Sequence, residues 1–269
     1  MEEFCFCKNG IILVYKDENT ISVKKCAQKR FLPNSILDIS IEDFRKVNIK
    51  QFLKSLQGKS DGVKDLSQFT NRGVCWTMKE CEFLDNPEIL DVHVNLLYLC
   101  NASCTFCSEK ENIKKFRNIK NQKEIYFETL ERLKGNIRYL TLTHGGEPFL
   151  FKSDMIKFLN GLNEDDFKGI NIASNGANLD DDLLNSIKNS KVPIRLEISV
   201  HAGTKETRKR IMGLDDFEQL KEEVEWLKNN INGWVLVSFV KCDLNNNEKE
   251  KEMFKNSFNG VQHDFFELI

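Results

Sequence analysis

The sequence predicts an α/β protein, a partial (β/α)6 TIM-like barrel preceded by a small N-terminal α+β domain. Three observations carry this. From about residue 91 onward, short apolar and β-branched runs alternate with stretches of helical periodicity. Alternation of that kind gives parallel strands joined by right-handed crossovers. Six such units are two short of a closed eight-stranded barrel, and residues 1–88 lack the alternation.

The predicted barrel strands are 91–98, 137–143, 169–174, 193–200, 234–240 and 264–269. Helices are predicted near 123–134, 153–162, 180–189, 215–230 and 247–257. The fourth is the clearest, with Phe217, Leu220, Val224, Leu227 and Ile231 on one face. Ahead of the barrel, Gly10–Tyr15 and Thr20–Lys24 read as a hairpin about a turn at Asp17–Asn19. A helix from about Ile41 to Leu56 follows, with Ser40 placed to cap it. A polar stretch, Gln57–Arg72, then leads to Cys75 and Cys81. The expected domains are 1–88 and 89–269. Because the sixth strand ends the sequence, the barrel should be open along one side, for a dimer, partner or substrate protein to cover, unless the chain is truncated.

At 269 residues and 41% hydrophobic content, the chain can bury a full core. A net charge of −2 gives no global attraction to phosphate or anionic lipid, so nucleic acid is not an expected partner. The start, MEEFCFCKNG, has no apolar segment of the signal-peptide kind, and no run of about 18 apolar residues exists to span a bilayer. A cytoplasmic protein without a membrane segment is expected. In a reducing compartment, nine cysteines are better candidates for metal or redox chemistry than for disulfides. Their clustering favours ligation.

Cys100-x3-Cys104-x2-Cys107 directly follows the first barrel strand. Three thiolates on one tight loop can ligate three irons of a [4Fe–4S] cubane and leave the fourth iron open to a substrate or cofactor. A zinc site or three incidental thiols is the alternative, although no fourth ligand lies close in sequence. With Phe106 before the last cysteine, CxxxCxxC resembles the signature of the radical S-adenosylmethionine (SAM) superfamily. Gly145-Gly146-Glu147-Pro148, after the second strand, matches that family's GGEP motif. The resemblance runs from about residue 91 to 269.

The resemblance implies that the open iron chelates SAM, and that the reduced cluster cleaves it to methionine and a 5′-deoxyadenosyl radical. That radical abstracts hydrogen from a substrate, and a flavodoxin or ferredoxin would supply the electron. In GGEP, two glycines let backbone approach a ligand closely, and Glu147 offers acceptors to an ammonium group. Asn175 and Ser199 are similar to family positions that contact SAM. Arg210 resembles an arginine that pairs with the SAM carboxylate, with Arg208 two residues away as the competing register.

Strand alternation also separates faces. Val92, Val94, Leu96, Leu196, Ile198 and Val200 should pack on helices. His93, Asn95, Thr141, Thr143, Asn171, Asn175, Arg195, Glu197, Ser199, His201 and Ser238 should then point inward. So polar a lumen is expected to hold ligand and water, because unpartnered buried polar groups are costly; a self-satisfied polar network is the alternative. Cys242, at the end of the fifth strand, is a candidate hydrogen-atom donor, and His93 and His201 are candidate acid–base groups. Structural roles for all three stay open.

Cys7, Cys26, Cys75 and Cys81 lie outside the SAM-binding core, with Cys5 able to replace Cys7. They resemble the ligands of a twitch or SPASM domain, which implies a second [4Fe–4S] cluster. Its order is inverted here, and Cys75-x5-Cys81 is wider than the common CxxC. Zinc in the same thiolates, or a peptide-binding winged helix, is the alternative. The expected function is therefore oxidoreductase-type radical SAM chemistry on a peptide or protein side chain: an oxidation, crosslink or epimerisation. A sugar-like or other polar metabolite is the second substrate class. A non-catalytic iron–sulfur or zinc protein, serving as electron carrier or scaffold, is the competing function.

Overall fold

The structure, a computed structural model, describes residues 11–25, 37–56, 91–142 and 145–267. In chain order come β1 (Ile11–Asp17), β2 (Thr20–Lys25), β3 (Leu37–Ser40), α1 (Ile41–Lys46), α2 (Ile49–Leu56), β4 (Asp91–Asn95), α3 (Lys110–Phe116) and α4 (Gln122–Leu133). Next are β5 (Tyr139–Leu142), α5 (Lys152–Asn160), β6 (Gly169–Ser174), α6 (Asp181–Lys188), β7 (Ile194–Ser199) and α7 (Lys205–Met212). The last elements are α8 (Phe217–Asn230), β8 (Gly233–Lys241), α9 (Glu248–Ser257) and β9 (Gln262–Glu267).

The described strands form one sheet in the order β3-β2-β1-β4-β5-β6-β7-β8-β9. Neighbours from β4 to β9 are parallel, as strand–helix alternation requires. This is an α/β fold with a mostly parallel, open sheet, consistent with a partial TIM-like barrel. The predicted hairpin forms as β1 and β2. β1 also pairs in parallel with β4, Ile11 opposite Val92 and Val14 opposite Asn95. The described residues of segment 1–88 therefore extend the barrel's sheet rather than building a sheet of their own. The four cysteines of the expected auxiliary site, and Cys5, lie outside the described residues.

Val92, Val94, Leu96, Leu196, Ile198 and Val200 are buried in the main hydrophobic core, together with Leu130, Phe158, Leu183 and Leu227 from the helices. Each such side chain contributes roughly 1.5–3 kcal/mol on leaving water. The opposite face of the same strands is polar yet also buried: Asp91, His93, Asn95, Thr141, Asn171, Arg195, Ser238 and Asp264 are all enclosed.

The helix predicted from Ile41 to Leu56 is two helices. Ser40 caps α1 as expected, its side chain accepting from the Asp43 N–H. Val47 is extended, and the Asn48 side chain then accepts from the Gln51 N–H to start α2. Arg132 of α4 fixes the break by donating to the Phe44 and Val47 carbonyls, each at 2.6 Å. Two further helices, α3 and α7, form where the sequence predicts none. Among the described residues, no helix is long and apolar enough to cross a membrane.

Candidate functional site

The site forms where the barrel strands end, and its centre is the loop bearing Cys100, Cys104 and Cys107. All three are half-buried free thiols. This loop is docked on the C-terminus of α7. A helix end leaves carbonyls without intrahelical partners, and here the loop takes them: Ser103 N–H donates to the Met212 carbonyl at 2.8 Å and Thr105 N–H to that of Ile211 at 2.9 Å. Gly213 ends α7 in the left-handed region, φ 74°, and a Cβ there would sit 2.4 Å from Ser103 Oγ. The left-handed backbone is what calls for glycine here.

Arg208 anchors α7 from within. It is fully buried, and its guanidinium donates to the Ser199 carbonyl at 3.0 Å and the Asn175 carbonyl at 2.7 Å. It also forks onto both oxygens of Asp216, at 2.6 and 3.0 Å. One side chain thereby ties the ends of β6 and β7 to the N-terminus of α8. Arg210 is exposed on α7. Of the two arginines weighed from sequence, Arg208 is the one built into this end of the barrel.

The GGEP segment packs against the same loop from the other side. A Cβ at Gly145 would lie 2.7 Å from the Leu97 carbonyl oxygen, and one at Gly146 2.3 Å from that of Leu99. Glu147 N–H donates to the Leu99 carbonyl at 2.8 Å. The glycines thus admit the backbone leading into the cysteine loop, a neighbour within the protein rather than a ligand. Glu147 is buried, and protein donors hold both of its carboxylate oxygens. Phe149 N–H and Ser174 Oγ donate to Oε1, and Asn175 N–H donates to Oε2 at 2.7 Å. Burial pushes its carboxyl above the usual range, against the pull of these hydrogen bonds. Its place in the structure is that of a staple between β5 and β6, with Pro148 opening a short 3-10 turn. Thr143 and His144 lie outside the described residues.

Asn175 reaches the cysteine loop directly. Its Nδ2 donates to Asn101 Oδ1 at 2.8 Å and lies 3.8 Å from Cys100 Sγ, which also accepts from the Ala102 N–H at 3.4 Å. Opposite, Phe106 meets His201 edge to face, ring centroids 5.1 Å apart. His201 sits in the left-handed region at φ 58°, and its Nδ1 accepts from the Val240 N–H at 3.1 Å. The remaining proton is therefore on Nε2. Burial, then the Arg208 charge, pushes its pKa down to about 3. At neutral pH this imidazole is held neutral, with its Nε2 N–H as donor.

Cys242 is half-buried just beyond β8, its N–H donating to Asn245 Oδ1 at 2.7 Å. Asn245, fully buried, also donates to the His201 and Val240 carbonyls. It joins the ends of β7 and β8. Sequence reasoning misses it, because it opens a run of three asparagines, Asn245-Asn246-Asn247, that reads as an ordinary polar turn. His93 lies apart from the loop. It is inside β4 with Nε2 3.0 Å from Asp91 Oδ2, while Thr141 Oγ1 donates to Asp91 Oδ1.

The donor set fits an iron–sulfur cluster. Burial, then repulsion from Cys100 and Cys107, pushes the Cys104 thiol up to about 12. The positive charge of a bound cluster would offset that repulsion and hold the three sulfurs as thiolates. Among the described residues, no three His, Cys, Asp or Glu side chains converge on a single metal ion. A cubane does not require convergence, since each iron takes its own thiolate.

Comparison with known proteins gives a consistent family. The family model described as Radical SAM superfamily matches residues 94–255. A protein of Saccharolobus islandicus named "Probable GTP 3′,8-cyclase" is 29% identical over 168 residues, covering 61% of this chain and 51% of the relative. One from Sulfurisphaera tokodaii with the same name is 29% identical over 140 residues, covering 51% of this chain and 42% of the relative. The chain thus spans about half the length, or less, of these curated relatives. Among solved structures, Streptococcus suis SuiB bound to its precursor peptide SuiA superposes with a TM-score of 0.50 at 15% identity, covering 66% of this chain and 39% of that one. Native anSMEcpe with bound AdoMet gives 0.50 at 16% identity, covering 67% and 52%. At these identities the likeness is one of fold.

Proposed function

The chain belongs to the radical SAM superfamily and is an enzyme, and from that premise we propose that it acts on a peptide or protein side chain. Bound to the three cysteines, a [4Fe–4S] cluster would supply an electron to split SAM into methionine and a 5′-deoxyadenosyl radical, which takes a hydrogen atom from the substrate. The observation that carries this reading is the rigid unit made by the cysteine loop, GGEP and Asn175, all held at one end of the barrel.

Each residue then has a task. Cys100, Cys104 and Cys107 ligate the cluster, and Asn175 places an amide N–H beside the Cys100 sulfur. Phe106 and His201 form an aromatic wall beside the loop, with His201 offering a neutral N–H. Ser199 and the GGEP backbone line the place for SAM, and Arg208 positions Ser199 and Asn175 from behind. Cys242 is kept as a hydrogen-atom donor in the case of an epimerisation. Cys7, Cys26, Cys75 and Cys81 would hold a second cluster. The name carried by the relatives supports a second reading, a purine nucleotide substrate, and that whole-protein activity remains a proposal for a chain half their length.

The test is to reconstitute the protein anaerobically with iron and sulfide, reduce it, and measure 5′-deoxyadenosine formed from SAM. Formation well above that of a Cys104→Ala variant supports the reading. Formation no greater than the variant's rejects it.

A further inference from the structure

The polar lumen below the cysteine loop carries charge of one predominant sign. On the inner faces of β4–β9, the described charged residues are Asp91, Arg195, Glu197 and Asp264, three carboxylates against one guanidinium. Asp91 faces His93 and Thr141. The other three gather across β7 and β9. Arg195 gives its short hydrogen bond to neutral Asn171 Oδ1, at 2.7 Å. Glu197 and Asp264 stand farther from it, at 3.7 and 4.0 Å, beyond hydrogen-bond range.

A single guanidinium cannot neutralise both carboxylates. The two repel each other: Glu197 raises the Asp264 carboxyl, after burial, to about 6. A separate observation points to a missing donor. Asp264 is 6% exposed, and its Oδ2 has no hydrogen-bond partner, while its Oδ1 takes only a long bond from Gln262 at 3.4 Å. On β4, Asn95 is 7% exposed, and its Oδ1 likewise accepts nothing. Buried acceptors without donors are costly, and both belong to the inner face of the same sheet. Glu197 is half-buried and accepts from the Ser238 hydroxyl.

We propose that Glu197 and Asp264 form a subsite for a cationic, donor-rich group of the substrate, an ammonium or guanidinium, and that this subsite disfavours polyanions such as a nucleoside triphosphate. The inference rests on reading the lumen as the substrate site of the enzyme proposed above. It narrows the substrate to a lysine- or arginine-like side chain and selects against the purine triphosphate reading, because that ligand would meet one paired cation and several carboxylates.

The test uses the reconstituted full chain with SAM present. N-acetyl-lysine methylamide, N-acetyl-arginine methylamide, N-acetyl-glutamate methylamide and inorganic triphosphate are titrated by calorimetry. At least one cationic probe is expected to bind about ten times more tightly than the glutamate probe and the triphosphate, a preference of the size that charge complementarity gives. Asp264→Asn and Glu197→Gln, each checked for a native melting transition, should reduce that preference severalfold. Equal binding of all probes, tighter binding of triphosphate, or full preference retained in a folded variant would each overturn the proposal. Should neither variant fold, the wild-type ranking decides alone. Release of 5′-deoxyadenosine is read in the same preparation. A protein that cleaves SAM without cation preference loses only this inference, and one with the preference but no cleavage loses only the enzyme reading.

Discussion

The mouth of the barrel and its lumen are both polar and both buried, yet they are finished differently. At the mouth, Arg208, Glu147 and Asn245 spend their hydrogen bonds on backbone atoms of neighbouring loops and, for Arg208 and Glu147, on the Asp216 and Ser174 side chains. In the lumen, Asn95 Oδ1 and Asp264 Oδ2 have no donor, and Arg195 stands outside hydrogen-bond range of both nearby carboxylates. A satisfied network fixes one geometry, while an under-satisfied one has capacity left for a ligand. On the function proposed above, the mouth would carry the constant chemistry and the lumen the substrate choice.

The largest effect should come from breaking the mouth at Arg208. An Arg208→Met variant keeps the apolar stem but abandons Asp216 and two carbonyls, at a cost of about 3–5 kcal/mol. A urea or thermal unfolding curve reads this, and iron bound after reconstitution should fall with it. A loss under about 1 kcal/mol would mean that the knot is not structural. Gly146→Ala comes next. Its Cβ would meet the Leu99 carbonyl at 2.3 Å, so the cysteine loop must shift, at about 1–3 kcal/mol. Cluster content per chain is the second readout.

Acid separates His201 from Asp264 by sign. His201 is held neutral down to about pH 3, whereas in the unfolded chain it protonates near 6.5. The unfolded state therefore binds more protons in that window. His201's contribution is fully present above pH 6.5 and is lost on acidification toward pH 3, by about 1.4 kcal/mol per pH unit. Asp264 behaves oppositely: with its carboxyl raised to about 6, the folded state binds more protons between 3.8 and 6, and stability falls as pH rises through that range. His201→Asn, which tolerates the left-handed backbone, should flatten the acid side of the stability profile, and Asp264→Asn should raise the melting temperature above about pH 6. The smallest effect belongs to Arg210→Ala on the exposed face of α7, within about 0.5 kcal/mol by thermal denaturation.

What was legible in the sequence follows the same division. The barrel strands from β4 to β8 were readable because each carries an apolar, β-branched or aromatic run, and β6 has the predicted bounds, Gly169–Ser174, whereas polar β9 spans Gln262–Glu267 instead of the predicted 264–269. The polar inner face was readable because Arg195 and Glu197 alternate with Leu196 and Ile198. α7 was not, because its Lys-Glu-Thr-Arg-Lys-Arg start offers no apolar face until Ile211. Two residues apart on a helix lie about 200° apart around it, so only tertiary packing decides that Arg208 turns inward and Arg210 outward. The break in the first helix escaped because Asn48 competes for local amides from mid-segment, a contest that Arg132 settles from a distant helix. The GGEP glycines were found, but their reason was not: a contact with Leu97 and Leu99 across the fold has no local signature.

The central claim, that the mouth holds a cluster with one iron reserved for SAM, has a direct test. The reconstituted, dithionite-reduced protein is examined by electron paramagnetic resonance before and after SAM is added. A cubane signal whose g-values shift on SAM addition, and which is absent from Cys104→Ala, is the predicted result. A signal unchanged by SAM would contradict the account.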